Sequence, residues 1–153
     1  MAALKDASAD AVVVDAYAES QVPADLTSSE WFAEVARVLR PGGVVAMNTA
    51  DEPDHRHASR VLAGLSEHLP HTVAIAQVDI WKRRRFGNLV LVGSSRPLLL
   101  GSIIRTVARG AFPSTVLDGD ALRRALGSGR PFTDADAVPS PRPPTAPGEW
   151  RIR

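Results

Sequence analysis

The chain has 153 residues, of which 44% are hydrophobic and 23% are charged, and it contains no cysteine. The length argues for one domain, and the absence of cysteine excludes disulfides, thiolate nucleophiles and cysteine-ligated metal sites. With 18 basic and 17 acidic residues the net charge is +1, so the charge balance calls for neither a nucleic acid nor a membrane as partner. No apolar run approaches the ~20 residues of a membrane span, and no apolar signal-peptide segment precedes the first acids, so we expect a cytoplasmic protein.

The first part of the chain alternates β-branched runs with an amphipathic segment. Residues 11–15 (AVVVD) predict a strand that is buried on both faces. After a loop, Thr27 or Ser28 caps a helix whose apolar residues recur at helical spacing. The sequence PGG at 41–43 ends this helix, and residues 44–47 predict a second buried strand.

The middle of the chain predicts one more helix and two more strands. The helix begins at Asp54 or the preceding proline and ends before Pro70. Residues 72–77 and 89–92 predict strands that are joined by a loop over 79–87. The order β-α-β-α-β-β predicts an α/β fold with a mostly parallel sheet, and the last strand pair, which has no helix between its members, predicts one antiparallel strand at the sheet edge.

The last third of the chain differs in style. A helix is predicted over 98–107, and Asp118 or Asp120 caps a second short helix that ends at Gly127. Prolines then become frequent, which predicts an extended or disordered tail. The predicted division is a sheet domain over 1–95, a helical extension over 96–138 and a Pro-rich tail over 139–153.

Polar side chains follow the first two predicted strands. They are Asp15, Tyr17, Glu19, Gln21, Asn48, Asp51 and Glu52. In doubly wound sheets, ligands bind outside the carboxyl ends of the strands. If the two strands are neighbours, these side chains share one acidic, partly apolar crevice that suits a cationic amine.

Three stretches carry a resemblance to known families. Residues 12–48 (VVVDAYAESQVPADLTSSEWFAEVARVLRPGGVVAMN) resemble the fourth strand, fourth helix and fifth strand of the S-adenosylmethionine-dependent methyltransferase fold, in which the turn VLRPGGV is common. Asp15 followed by a proline-containing loop resembles, more narrowly, the spermidine synthase family of aminopropyltransferases. The stretches FGNLVLV (86–92) and FTDADAVP (132–139) resemble the late hairpin strand and the closing segment of that family. The resemblance covers roughly residues 8–140.

The resemblance implies the C-terminal half of a Rossmann-like methyltransferase sheet, with short C-terminal helices. Such a domain begins with a strand and a glycine-rich turn that bind the nucleoside, and no such turn precedes Asp15. Residues 1–95 are then a partial transferase domain, and we expect little turnover by the chain alone. The other half would be absent through truncation or a mis-assigned start, or would be supplied by another chain.

The family resemblance also implies the chemistry of the site. The family uses Asp-x-x-Asp after this strand, with the first carboxylate as base and the second as amine anchor. Asp15 matches the first, whereas Ala18 stands at the second position and Glu19 is one residue off. Two carboxylates are needed because a diamine must lose a proton before it attacks the carbon beside a sulfonium. One carboxylate accepts that proton, and the other holds the distal ammonium. The loss of the second carboxylate weakens the case for a diamine substrate.

The implied roles can be stated residue by residue. Asp15 is the candidate catalytic base. Asp15 and Pro23 are the candidate contacts with the group donor. The candidate substrate contacts are Tyr17, Glu19, Gln21, Asn48 and Trp81. The donor is S-adenosylmethionine or its decarboxylated form, the acceptor is a small-molecule amine, and no metal is expected, since His55 and His57 do not face each other at i and i+2.

Two other functions stay open. The chain is then an S-adenosylmethionine-dependent methyltransferase of small molecules, or a non-catalytic partner-binding remnant. An unpaired edge on strand 11–15 and poor cover over Val12, Val13 and Val14 predict self-association, binding of a complementary N-terminal half, or low stability.

Overall fold

The computed structural model describes residues 3–145 as an α/β fold with one five-stranded mixed sheet. The strands are β1 (Ala9–Val14), β2 (Leu39–Asp51), β3 (His71–Gln77), β4 (Gly87–Ser94) and β5 (Ser114–Asp118). The helices are α1 (Ser29–Val38), α2 (Arg56–His68), the four-residue α3 (Val78–Trp81), α4 (Leu100–Ala108) and α5 (Gly119–Leu126), and a 3₁₀ turn spans Ala24–Leu26. This architecture is consistent with a Rossmann-like fold.

The strand order is β1-β2-β4-β3-β5, which corrects the prediction of a mostly parallel sheet. Only β1 and β2 pair in parallel among these strands, while β4 is antiparallel to both β2 and β3, and β5 is antiparallel to β3. The antiparallel strand expected at the edge is instead β4, in the centre. Leu89 and Leu91 explain that position, because both are fully buried and need neighbours on both sides.

The two faces of the sheet differ along β1, β2 and β4. The covered face packs against α1 and α2 and joins the hydrophobic core; its residues are Val12, Val14, Val45, Met47, Leu89 and Leu91. The open face alternates with it; Ala11 and Val13 are exposed there, and the other apolar residues, Val44, Ala46, Val90 and Val92, are partly exposed. The alternation of side chains along a strand produces this division.

The first strand is therefore half covered rather than buried on both faces. Val14 is 6% exposed and Val12 packs against the core, whereas Val13 is 75% exposed. Of the three valines predicted to be poorly covered, only Val13 is exposed in this way. Among the described residues β1 pairs with β2 alone, so its other edge has no strand partner.

Local signals set the bounds of the helices. Ser28 caps α1, because its hydroxyl accepts a hydrogen bond from the Trp31 amide at 3.1 Å. Helix α1 ends at Val38 and β2 begins at the next residue, Leu39, so the PGG sequence predicted to end the helix lies inside β2 instead. Within it Gly42 has a φ of 86°, which favours glycine. Strand β5 was missed by the sequence pattern because it is short and no residue in it is fully buried.

Candidate functional site

Strand β1 ends at Val14, which lies opposite Met47 of its parallel neighbour β2, and β2 continues beyond this point to Asp51. The next residues along, Asp15 and Asn48, are in contact: the Asn48 Nδ2 donates a hydrogen bond to Asp15 Oδ1 at 3.0 Å. Asn48 belongs to the open face by strand alternation, and Asp15 is exposed. The structure thus brings together two of the predicted site residues.

The orientation of the Asn48 amide follows from its neighbour. If the amide were turned over, its oxygen would face a carboxylate oxygen and no donor would lie between them. In the observed orientation Oδ1 is buried and has no hydrogen-bond partner among the described residues. Asn48 therefore holds one oxygen of Asp15 and leaves the other available to solvent or a ligand.

Tyr17 lies close enough to Asp15 for the carboxylate charge to change the pKa of its phenol. Partial burial, followed by the negative charge of Asp15, raises the pKa of the Tyr17 phenol above its ordinary value. The phenol therefore keeps its proton and remains a hydrogen-bond donor, with 40% of the residue exposed. We call Asp15, Tyr17 and Asn48 the strand-end cluster.

The loop between Asp15 and Val22 has a strained backbone. Glu19 and Ser20 have φ values of 50° and 66°, and Ala18 and Gln21 close the loop with two backbone hydrogen bonds of 2.9 and 3.0 Å. Non-glycine residues rarely adopt positive φ, so the loop depends on these bonds to hold its shape.

The side chains of Glu19 and Gln21, both predicted substrate contacts, bind an arginine of the same chain. Arg142 donates from Nε to Gln21 Oε1 at 2.8 Å and from a terminal nitrogen to Glu19 Oε2 at 3.0 Å. Neither Glu19 nor Gln21 is hydrogen-bonded to the strand-end cluster. They form a second polar group beside it, on the same loop.

Two predicted site residues lie elsewhere. The Trp81 indole N–H donates to the Thr115 carbonyl of β5 at 3.0 Å, and its ring meets His55 edge to face. Because β5 and β1 are at opposite edges of the sheet, Trp81 is remote from the strand-end cluster. Pro23 is partly buried and begins the 3₁₀ turn, where its carbonyl accepts from the Leu26 amide at 3.2 Å.

Asp51, at the end of β2, is buried on the other side of the sheet. Its carboxylate accepts from the backbone amides of Glu52 at 2.8 Å and of Ala58, in the first turn of α2, at 2.6 Å. Burial raises the pKa of Asp51 to about 6, although both amides act to lower it. Asp51 therefore fastens the start of α2 to the strand and is not open to a substrate.

Two histidines near Asp51 are also buried. His55 immediately precedes α2 with a φ of 58° and is 1% exposed. Burial and the charge of Arg83 lower the pKa of His55, and burial lowers that of His57. Both rings are thus favoured in the neutral form. No set of three or more acidic or histidine side chains in the described part of the chain is placed to hold a metal ion.

A cavity of about 540 Å³ opens beside the loop that follows β2. Its walls include Glu52, Asp54, Arg83 and Arg142, together with Phe86 and the prolines at 53 and 144. Arg142 thus borders this cavity and also contacts the loop after β1. Arg142 therefore lies between the loop that follows β1 and the loop that follows β2.

Ser140 and Arg142 were not predicted as site residues. They lie in the stretch expected to be a Pro-rich tail, and both bind the loop that follows β1: Ser140 binds Val22 and Gln21, and Arg142 binds Gln21 and Glu19. Residues 146–153 of that stretch lie outside the described part of the chain. No short-range pattern marks them, because their partners lie about 120 positions earlier. A pair of arginine and serine among prolines is the only local signal.

The sheet and the strand-end cluster define a Rossmann-like α/β protein with a polar site where the first of two parallel strands ends beside the second. Its particular likeness is to the crystal structure of a probable spermidine synthase from Corynebacterium glutamicum ATCC 13032, with a TM-score of 0.79 and 30% sequence identity. The match covers 86% of this chain and 50% of that one, so this chain spans about half the length of its neighbour. No protein-family model and no curated protein matches the sequence. The fold of this chain is spermidine synthase-like.

No helix within residues 3–145 is both long enough and apolar enough to cross a membrane.

Proposed function

We propose that the chain supplies the amine-acceptor side of a spermidine synthase-like group-transfer site, with Asp15 as general base. The observation that carries the proposal is the hydrogen bond from Asn48 of β2 to Asp15, the residue that follows the carboxyl end of β1. The neighbouring Tyr17 adds a phenol donor and an apolar ring. An exposed carboxylate with one oxygen held and the other free suits an alkylammonium group.

The proton transfer uses residues of this chain. An alkylammonium donates a hydrogen bond to the free oxygen of Asp15, and the carboxylate accepts its proton when the amine becomes a nucleophile. The amine nitrogen is left neutral with a free lone pair. Asn48 keeps the carboxylate oriented during this step, while the aromatic ring of Tyr17 lies beside the carbon chain of the acceptor.

The donor in this proposal is S-adenosylmethionine or its decarboxylated form, which is a substrate rather than a resident cofactor. The described residues do not enclose a nucleoside: Asp15 is exposed, Val13 is 75% exposed, and the outer edge of β1 has no partner strand. Pro23, the other candidate donor contact, is committed to the 3₁₀ turn. We therefore assign the acceptor side to this chain and derive no step at the donor.

The test is calorimetric titration of the full chain with butylamine. We expect weak binding that Asp15→Asn reduces about fivefold or more, because the ammonium then meets no charge. Asp25→Asn, which removes an exposed acid from the following 3₁₀ turn, is the matched control and should bind like the wild type. Equal binding by the wild type and Asp15→Asn would contradict the proposal.

A second candidate function is binding of a partner polypeptide without catalysis. It is favoured by the partly exposed aliphatic residues of the open face and by the outer edge of β1, which has no strand partner among residues 3–145. The partner proposed is a second copy of the chain or a complementary half that covers this surface. Partner binding with no product from either donor form would favour this candidate, whereas a methylated or aminopropylated product would identify the transferred group.

A further inference from the structure

Residues 139–145 form a strap over the loop that follows β1. Ser140 is fully buried: its amide donates to the Val22 carbonyl at 3.0 Å, and its hydroxyl accepts from the Val22 amide at 2.8 Å. The Ser140 carbonyl accepts a third hydrogen bond from the side-chain amide of Gln21. These three bonds fix the strap against the loop, although its residues are about 120 positions away in sequence.

The anchored strap positions one cation. From Ser140 the chain reaches Arg142, whose guanidinium binds the Glu19 carboxylate and the Gln21 side-chain oxygen. A carboxylate and an amide oxygen that converge on one point are the partners that an alkylammonium group seeks. In this chain the guanidinium of Arg142 occupies that point.

The position of this cation matters for the site beside it. Glu19 and Gln21 belong to the loop that carries Asp15 and Tyr17, and Arg142 also borders the cavity next to Glu52 and Asp54. A diamine whose first ammonium is on Asp15 needs a second carboxylate for its distal ammonium. At Glu19 it would meet a carboxylate that is already paired and a guanidinium of like charge.

We propose that Arg142 is a specificity-determining residue, whose guanidinium fills the cation position formed by Glu19 and Gln21 so that the site accepts a monoamine and disfavours a diamine. This inference rests on the proposed amine-acceptor function and names its substrate class. It also gives a role to Glu19, which stands one residue after the second position of the Asp-x-x-Asp spacing and binds Arg142.

The experiment compares butylamine with 1,4-diaminobutane on the full chain by calorimetry. Arg142→Gln keeps a polar side chain but removes the charge, and we expect it to raise the affinity for the diamine about three- to fivefold, the size of an exposed ion pair, with monoamine affinity within about twofold. The double variant Glu19→Gln/Arg142→Gln should lose the gain. Arg105→Gln, on exposed α4, is the control for net charge and should change neither affinity.

The outcomes separate the two proposals. Amine binding that depends on Asp15, with an unchanged diamine-to-monoamine ratio in Arg142→Gln, would overturn the role of Arg142 and leave the acceptor function standing. Failure of both amines to bind the wild type and Arg142→Gln would overturn both. Amide hydrogen exchange at Ser140 and Val22 shows whether the strap stays in place in Arg142→Gln. If the affinity for the diamine rises only when those amides lose protection, the rise comes from loss of the strap, and the proposed effect of the Arg142 charge is overturned.

Discussion

The covered and open faces belong to the same three strands, yet they have different surroundings. On the covered face, Met47 and Leu91 are completely buried among α1 and α2. On the open face, Val92, the residue after Leu91 on β4, is partly exposed, and Val13 on β1 is 75% exposed. Burial, rather than residue type, therefore separates the two faces, since both are lined mainly by aliphatic side chains.

The same contrast governs the polar residues at the end of β2. Asp51 lies toward the covered face, where it is buried and bonded to backbone amides. Asn48 lies toward the open face, where it contacts an exposed carboxylate. One polar residue fastens a helix and the other helps to build a candidate site, and their positions three residues apart on a strand decide which.

The largest expected effect distinguishes the two faces by stability. Leu91→Ala on the covered face should lower the free energy of unfolding by about 2–5 kcal/mol, because it leaves a cavity in the packed core. Val92→Ala, the adjacent residue on the open face, should cost less than about 1 kcal/mol. Urea unfolding followed by circular dichroism measures both. Similar losses for the two variants would mean that the open face is covered in solution.

The next effect concerns pH and Asp51. Its pKa is raised to about 6 in the folded chain, so the folded state binds the proton more tightly than the unfolded state. The resulting stabilisation is fully present below about pH 4 and is lost as the pH rises through 6, a change of up to about 3 kcal/mol. Unfolding free energies measured from pH 4 to 7 should therefore differ in slope between the wild type and Asp51→Asn.

That difference isolates the carboxylate from its surroundings. The lowered pKa values of His55 and His57 act in the opposite direction, because their protonation below about pH 6.5 destabilises the folded state. The wild type and Asp51→Asn both contain these histidines, so subtracting one unfolding free energy from the other removes the histidine contribution. Asp25→Asn removes an exposed carboxylate that acts on neither Asp51 nor the two histidines, so it should keep the wild-type slope. A wild-type slope in Asp51→Asn would contradict the assignment.

A smaller effect tests how the C-terminal segment braces the covered side. Arg60 on α2 donates to the carbonyls of Arg130 and Pro131 at 2.9 and 3.2 Å and to Asp136 at 2.6 Å, and it stacks 3.8 Å from the Phe132 ring centre. Arg60→Lys should lower the free energy of unfolding by about 1–2 kcal/mol, since an ammonium cannot reproduce this fan of bonds. Arg130→Lys, an exposed arginine on the same aspartate, should cost less than about 0.5 kcal/mol. Urea unfolding distinguishes the two, and equal losses would contradict the bracing role.

The fold was predictable where local patterns decide it. The positions of four strands, the capped helix α1 and the α/β class follow from β-branched runs, helical periodicity and the capping serine. Strand pairing was not predictable, because the insertion of β4 between β2 and β3 depends on which surfaces bury together. The same limit hid the alternation on β1: three consecutive valines give no periodic signal, so Val13 could not be distinguished from Val14.

The candidate site was predictable to the extent that it follows the strands. Asp15 and Asn48 each follow a β-branched run, and parallel pairing brings them together. Trp81 was proposed from its place in a resemblance, whereas a tertiary contact with Thr115 determines where it lies. Arg142 was missed since nothing within its neighbourhood in sequence specifies a partner on the loop after β1.

The smallest expected change in folding stability comes from the most exposed residue of the open face. Val13 lies on β1, whose outer edge is unpaired among the described residues. Val13→Lys should change the free energy of unfolding by no more than about 0.5 kcal/mol, because the residue contributes little to the core. Its effect should appear in association instead. A lysine on an edge strand opposes pairing with another strand and interrupts the apolar surface.

Sedimentation velocity over a concentration series measures that association. We expect the wild type to self-associate as its concentration rises, and Val13→Lys to remain closer to the monomer. Val13→Thr, which preserves the β-branched shape without charge, is the matched control and should follow the wild type more closely than the lysine variant. A wild-type chain that stays monomeric throughout would show that a half-exposed aliphatic sheet face and a free strand edge are tolerated in isolation, and the partner proposed for this surface would then lose its physical basis.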